Sequence, residues 1–389
     1  LDEDPVTDTS QPWRIGVLFS QTGTTAVVER TMARATQLAI EEINAAGGVL
    51  GRPLEPVEAD CASDPKVARR QASYLLGEEQ VPVIFGCYMS STRKAVTPLC
   101  EQFDALLFYP TLYEGFEYVP NCIYTGAAPN QNSLQLGQYL TRSCGERFYF
   151  VGSNYVFPYE SNRIMADLLR AHGAKVLEER YVPLNCEADA FAPVLKEIEK
   201  LRPDVVFSTI VGSATATFYR AFRQVGFDPA ATRIASLTTS EAEVAEMGKE
   251  AAEGHLAAAP YFDTLATRRN RAFVGAFQER FGSNSPITAS AEAAYFQVNL
   301  FARALEACGS TDTEALLEAL NGVQYDAPQG SVRIDPDNNH TFLWPRVGKA
   351  NAQGKFEIVH DARKPVKPDP YMVSFGQDAW TGALPNKTA

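Results

Sequence analysis

The stretch VIFGCYMSSTRKAV, residues 83–96, runs an apolar segment into Cys87, Tyr88, Met89, Ser90 and Ser91 before a basic helix start. One aromatic ring and a fan of hydroxyls on such a turn suit a small polar group. Hydroxyls and backbone amides donate to a carbonyl oxygen, hydroxyl and carbonyl oxygens accept from an amide NH2, and a tyrosine ring covers a planar face. The same chemistry recurs after other apolar runs. Ser20, Gln21, Thr22 and Gly23 follow GVLF, Thr111 follows LLFYP, and Tyr155 and Phe157 follow YFVG. Gly212 and Ser213 follow VVFSTIV, and SLTTSE (236–241) carries Thr238 and Thr239. Ligands of doubly wound sheets bind outside the carboxyl ends of the strands. Edges of one chemical character therefore predict a polar, uncharged crevice that would satisfy a small neutral amide or urea. Taken singly, each Ser or Thr reads first as a helix N-cap, Tyr88 as a ring packed under a loop, and Cys87 as a buried small hydrophobe.

Signatures of enzymes are missing. G-x-S-x-G, H-E-x-x-H and the P-loop do not occur, and GGVLG (47–51) closes a helix instead of opening one. His172, His255, His340 and His360 fall in unrelated contexts, so no catalytic residue, metal ligand or cofactor is assigned. Glu114, Glu117, Glu160, Glu241 and Glu243 lie near the edges and read as helix-start charges. An amidase with Cys87 as nucleophile lacks a visible base.

The elements that must position these residues alternate between strand and helix. RIGVLF, the helical spacing over 29–46, PLEPVEA, DPKVARRQASYLLGEE, VPVIFG, STRKAVTPLCEQF and ALLFYP form a first set. A second set begins after YVPNCIYTGAAPNQNS and runs through RFYFVG, SNRIMADLLRAHG, FAPVLKEIEKL, PDVVFST and ATATFYRAFRQVG. With 389 residues, 45% of them hydrophobic, the chain has room for two α/β domains, each built on a doubly wound parallel sheet. Three helical stretches and short strands follow residue 254. A net charge of -12 argues against nucleic acid, which needs a concentrated basic surface. No apolar run is long enough to insert in a membrane. The seven cysteines are scattered, odd in number and without a C-x-x-C pair. They suggest neither zinc nor a disulfide framework and favour a reducing, cytoplasmic setting. A signal peptide removed before Leu1 would instead make the protein periplasmic.

GCYMSSTRKAV, LLFYPTLYEGFEYVPN, YTGAAPNQNS, VGSNYVFPYESNRIM, DVVFSTIVGSATATFYRA and IASLTTSEAEVAEM together resemble the AmiC-like amide sensors. YTGAAPNQ, DAPQG (326–330) and KPDPY (367–371) are similar to the urea- and short-chain-amide-binding proteins of ABC importers. The resemblance covers roughly residues 14–375 and implies the type I periplasmic-binding-protein fold, two α/β lobes joined by a three-crossover hinge. Its implied lobes are 13–125 plus 254–335 and 126–253 plus 336–375, with an acidic tail over 1–12. Implied ligand contacts are Tyr88, Ser90, Tyr109, Thr111, Tyr155 and Thr238 or Thr239, with the tyrosines walling the planar face. Leu112 and Phe157 depart from the sensor's Pro and Tyr, which leaves acetamide-like compounds and urea both open. The implied function is a ligand-sensing regulator of an amidase operon that holds an antiterminator protein. The alternative is the extracytoplasmic binding component of an importer, working with an ABC permease. Self-association is left open.

Overall fold

The computed structural model describes residues 11–374. The acidic tail expected over 1–12 lies outside the described residues as far as Ser10, as does the expected lobe end at 375. In chain order a first run comprises β1 (Trp13–Leu18), α1 (Ala26–Ala45), β2 (Leu54–Ala59), α2 (Pro65–Gly77), β3 (Val83–Gly86), α3 (Ser90–Gln102), β4 (Leu106–Tyr109) and β5 (Cys122–Tyr124). A second comprises α4 (Ser133–Ser143), β6 (Arg147–Ser153), α5 (Val156–Ala171), β7 (Lys175–Val182), α6 (Ala192–Leu201), β8 (Val205–Thr209), α7 (Ser213–Val225), β9 (Arg233–Ser236), α8 (Glu241–Met247), α9 (Lys249–Ala252) and β10 (Leu256–Ala259). Then come α10 (Arg268–Phe281), α11 (Ala289–Cys308), α12 (Thr313–Leu320), β11 (Gln324–Ala327), β12 (Gly330–Asp335), β13 (His340–Thr341), β14 (Arg346–Ala350) and β15 (Phe356–Asp361).

Strands such as β3, VIFG, and β8, VVFST, are buried along their whole length. Helices cover both faces of such a sheet, so its strands read as continuous apolar runs instead of alternating ones. Helix starts are set by local chemistry. Asp64 caps α2 by accepting from the amides of Lys66 and Val67, with Pro65 at the first helical position where no amide is needed.

The chain divides into two compact units. Among the described residues the first holds 11–111, 119–126 and 265–341, and the second 112–118, 127–264 and 342–374. The first unit's sheet has the order β11-β12-β13-β5-β4-β3-β1-β2. The pairs from β2 to β5, and β5 with β13, are parallel, while β11, β12 and β13 pair antiparallel. The second unit's sheet has the order β15-β14-β10-β9-β8-β6-β7, parallel except that β14 pairs antiparallel with both β10 and β15. Both sheets are thus mixed where the sequence predicted parallel ones. Only Pro328 and Gln329 separate β11 from β12, and so short a link cannot make the crossover a parallel pair requires.

Chain assignment also differs from the expected lobes. β10, expected in the first lobe, pairs with β9 in the second unit's sheet. His340, expected in the second, stacks on Tyr124 of the first unit, ring centroids 4.1 Å apart. Residues 112–118 join the second unit, where the Tyr113 amide donates to the Ala127 carbonyl and the Phe116 amide to that of Pro370.

Each unit has its own core. In the first, Phe85 and Phe108 from adjacent strands meet Phe301 of α11 at 5.4 and 6.0 Å. In the second, Phe150 and Phe207 pack on one face of the sheet, and Phe191, Phe218 and Phe222 on the other. Burying each such ring contributes about 1.5–3 kcal/mol.

His255 is also buried in the second unit, against the rings of Tyr219 and Phe222, and its Nδ1 accepts from the Ile234 amide at 3.0 Å. Burial, helped by the charges of Arg233 and Arg223, lowers its pKa to about 3. The unfolded chain, with an ordinary histidine, takes up the proton first on acidification. This contribution to stability is therefore complete above about pH 6.5 and drains away as pH falls toward 3. Buried Glu243, raised to about 7, acts with the opposite sign, so a variant comparison isolates the histidine. Between pH 7 and 4 the urea-unfolding free energy of wild type should drop more steeply than that of His255→Asn. Equal slopes would refute the assignment.

Candidate functional site

In the first unit, the ends of β1 and β3 approach so closely that a Cβ on Gly86 would lie 2.4 Å from the Leu18 carbonyl oxygen. The chain then turns through Cys87 at φ 68, a left-handed conformation that costs a residue with a side chain. Neighbouring groups hold the turn there. The Cys87 amide donates to the Leu18 carbonyl at 2.9 Å, the Tyr109 hydroxyl to the Tyr88 carbonyl at 2.6 Å, and the Thr111 hydroxyl to the Cys87 carbonyl at 3.4 Å. Tyr109 and Thr111, expected as ligand contacts, thus direct these hydroxyls at the backbone that presents Tyr88.

α3 begins at Ser90 behind Met89, which makes no side-chain cap. Ser90 and Ser91 are therefore not N-caps, and the opening amides of α3 stand beside their hydroxyls. The Ser91 hydroxyl is buried without a hydrogen-bond partner. Ser90 accepts from Arg93 Nη1 at 3.3 Å. Arg93 is fully buried and lies over the Tyr109 ring, 4.9 Å from its centroid. The basic helix start expected from STRK thus has its arginine buried, with Nη1 3.3 Å from Ser90 Oγ. The signal was the three-residue spacing, which stacks Arg93 and Ser90 on one helix face.

The edge after β1 is tied internally. Buried Glu29 accepts from the Ser20 amide at 2.7 Å and from the Thr25 hydroxyl at 2.5 Å, and burial raises its pKa. Asp60 accepts from the Gln21 amide and the Thr22 hydroxyl.

In the second unit the predicted residues gather at the carboxyl ends of β6, β8 and β9. Tyr155 precedes α5, and its ring centroid lies 6.3 Å from that of buried Phe157. Gly212 precedes α7 with φ 66 and ψ -149, a backbone state open to glycine, so its role belongs to the main chain. The Val211 amide donates to Ser153 Oγ at 3.2 Å, fastening the ends of β8 and β6. Thr238 donates to the Ile210 carbonyl at 2.7 Å, and Ser236 Oγ accepts from the amides of Thr238 and Thr239 at 3.0 and 3.1 Å. The Thr239 hydroxyl lies 3.0 Å from that of Tyr219. Ser240, by contrast, is an N-cap in a full capping box with Glu243.

Each unit thus brings its own predicted residues together: Tyr88, Ser90, Ser91, Tyr109 and Thr111 in the first, Tyr155, Phe157, Gly212, Thr238 and Thr239 in the second. Helix-start amides and hydroxyls are groups able to bind the oxygens of a small solute. Burial pushes the Cys87 thiol well above its ordinary pKa, which removes the thiolate a nucleophile needs. Among the described residues no cluster of three or more His, Cys, Asp or Glu could hold a metal ion, and no helix is long and apolar enough to cross a membrane.

A model of the periplasmic binding protein domain matches residues 13–377. The leucine-, isoleucine-, valine-, threonine-, and alanine-binding protein of Pseudomonas aeruginosa is 24% identical over 318 residues, 78% of this chain and 81% of that one. A limonene hydroxylase of Geobacillus stearothermophilus is 30% identical over 128 residues, 33% of this chain but only 23% of that protein's length. In fold, the chain matches the solute binding protein of an ABC transporter from Rhodopseudomonas palustris HaA2 in complex with p-hydroxybenzoic acid. That alignment has a TM-score of 0.84 at 21% identity and covers 94% of this chain and all of the other.

The family match overturns the cytoplasmic placement read from cysteine usage, because the matching model describes a periplasmic binding protein domain. All seven cysteines are free, and Cys61, Cys87, Cys100 and Cys122 are buried. Burial raises Cys100 to about 12. Buried, protonated thiols such as these four resist oxidation in any compartment, so their being unpaired does not mark a reducing setting.

Proposed function

The chain belongs to the periplasmic binding protein domain family, and from that premise we propose that it is the substrate-binding component of an ABC importer, delivering a small organic solute to a permease. The match over residues 13–377 carries this reading. It favours the importer over the amide-sensing regulator with its antiterminator partner.

The solute is a small carboxylate with an apolar or planar body. One relative is named for binding leucine, isoleucine, valine, threonine and alanine, and a protein of like fold was solved with p-hydroxybenzoic acid; all of these carry a carboxylate. The opening amides of α3 and the hydroxyls of Ser90 and Ser91 favour a negative group over a neutral amide. In the first unit Tyr88 supplies aromatic surface beside these groups. The second unit offers at its own strand ends the rings of Tyr155 and Phe157 with the hydroxyls of Thr238 and Thr239 and the Gly212 backbone. Neutral amide or urea, which the motifs resemble, is the competing ligand class. Acetamide and urea have so few heavy atoms that at about 1.5 kcal/mol per atom their binding stops near tens of micromolar.

Calorimetric titration of the full chain with 4-hydroxybenzoate, leucine, isoleucine, acetamide and urea tests this. A carboxylate should bind most tightly, and Ser90→Ala and Ser91→Ala should each weaken it about tenfold, the worth of one hydrogen bond to a charged group. Preference for acetamide or urea would overturn the carboxylate assignment. Silence across the panel would overturn the solute class as a whole.

A further inference from the structure

We propose that the first unit carries a second binding site, for a small organic cation of the quaternary ammonium or guanidinium class, at the end of the sheet away from the residues described above. α1 leaves the carboxyl end of β1 and returns to the start of β2, so Glu42 in its last turns lies toward the amino ends of the parallel strands. There a cavity of about 180 Å³ is walled by Glu42, Arg269, Phe273, Tyr295, Tyr325 and Asp326. At roughly 30 Å³ per water this is room for about six waters, enough for a tetramethylammonium ion.

The walls are aromatic and carry two carboxylates, with the Arg269 guanidinium beside them. Phe273, Tyr295 and Tyr325 are buried, and the first two rings lie 4.6 Å apart. The Tyr295 hydroxyl donates to the Glu42 carboxylate, which fixes that ring. Burial, with Tyr325 and Glu42 beside it, raises the Tyr295 phenol's pKa, keeping it neutral. Ring faces and carboxylates attract a cation and repel an anion.

The protein's own cations already use these surfaces. The Arg303 guanidinium lies 5.2 Å from the Tyr325 ring centroid, and Arg269 Nε pairs with Asp326 at 3.0 Å. Both partners of the second pair are more than half exposed, at 57% and 62%. An ion pair that wet holds weakly, so a cation from solution can take the place of Arg269.

The test is calorimetric titration of the full chain with tetramethylammonium chloride against sodium chloride at matched ionic strength. Saturable millimolar binding of tetramethylammonium alone is expected. Glu42→Gln combined with Asp326→Asn should weaken it at least tenfold, and Arg269→Ala should tighten it severalfold by removing the competitor. Thermal melts confirm that the variants fold. If the double variant melts low, the Arg269→Ala arm alone decides, since that side chain is exposed. The site is overturned by equal heats from the two salts, by unchanged affinity in a folded double variant, or by no tightening in Arg269→Ala.

Discussion

Gly86→Ala is expected to destabilise the first unit by about 3 kcal/mol or more and to weaken solute binding at least tenfold. Gly86 and Leu18 are register partners in adjacent parallel strands. The added Cβ would meet the Leu18 carbonyl oxygen at 2.4 Å and the Leu18 Cβ at 2.9 Å. Neither is the movable end of a flexible side chain, so relief requires β1 and β3 to spread. Spreading lengthens the 2.9 Å bond from the Cys87 amide to the Leu18 carbonyl, and that bond anchors the turn presenting Tyr88, Ser90 and Ser91. Urea unfolding and titration with the best ligand of the panel measure both effects. A variant within about 1 kcal/mol of wild type with unchanged affinity would show that the approach of the two strands is not what positions the turn.

Arg93→Ala is the second large effect expected, again about 3 kcal/mol of stability or more. The side chain is fully buried, so its loss leaves a void and removes both the donor to Ser90 and the cation over Tyr109. The Tyr109 hydroxyl supports the Tyr88 carbonyl, so slack around that ring reaches the turn proposed to meet the solute. Affinity should fall at least tenfold. Arg93→Lys should recover little, because a lysine has neither the planar group for stacking nor the fork of donors. Full recovery in Arg93→Lys would reduce the residue to a point charge.

Much of the architecture was readable because its causes are local. The VIFG and VVFST runs, the Asp64-Pro65 helix start and the glycine at 212 each act within a few residues. Strand-helix alternation and the position of polar residues after each strand follow from them. The final strands were harder. APQG between β11 and β12 is a hairpin signal, and its consequence for sheet direction follows once both neighbours count as strands. The membership of 112–118 and of β10 rests on partners such as Pro370 and Ala235, remote in sequence.

What the sequence determined by itself is the kind of fold and the chemical character of its strand ends, since periodicity, caps and turns depend on neighbours along the chain. The tertiary structure decided which hydroxyl does what. Thr111 bonds the Cys87 carbonyl, Thr238 bonds the Ile210 carbonyl, and Ser91 keeps its hydroxyl unpaired. It also buried Arg93 beneath the opening of α3. A hydroxyl has the same donor and acceptor wherever it stands. Whether it supports backbone or meets a solute depends on the carbonyl that packing brings within about 3 Å, and no local pattern carries that distance.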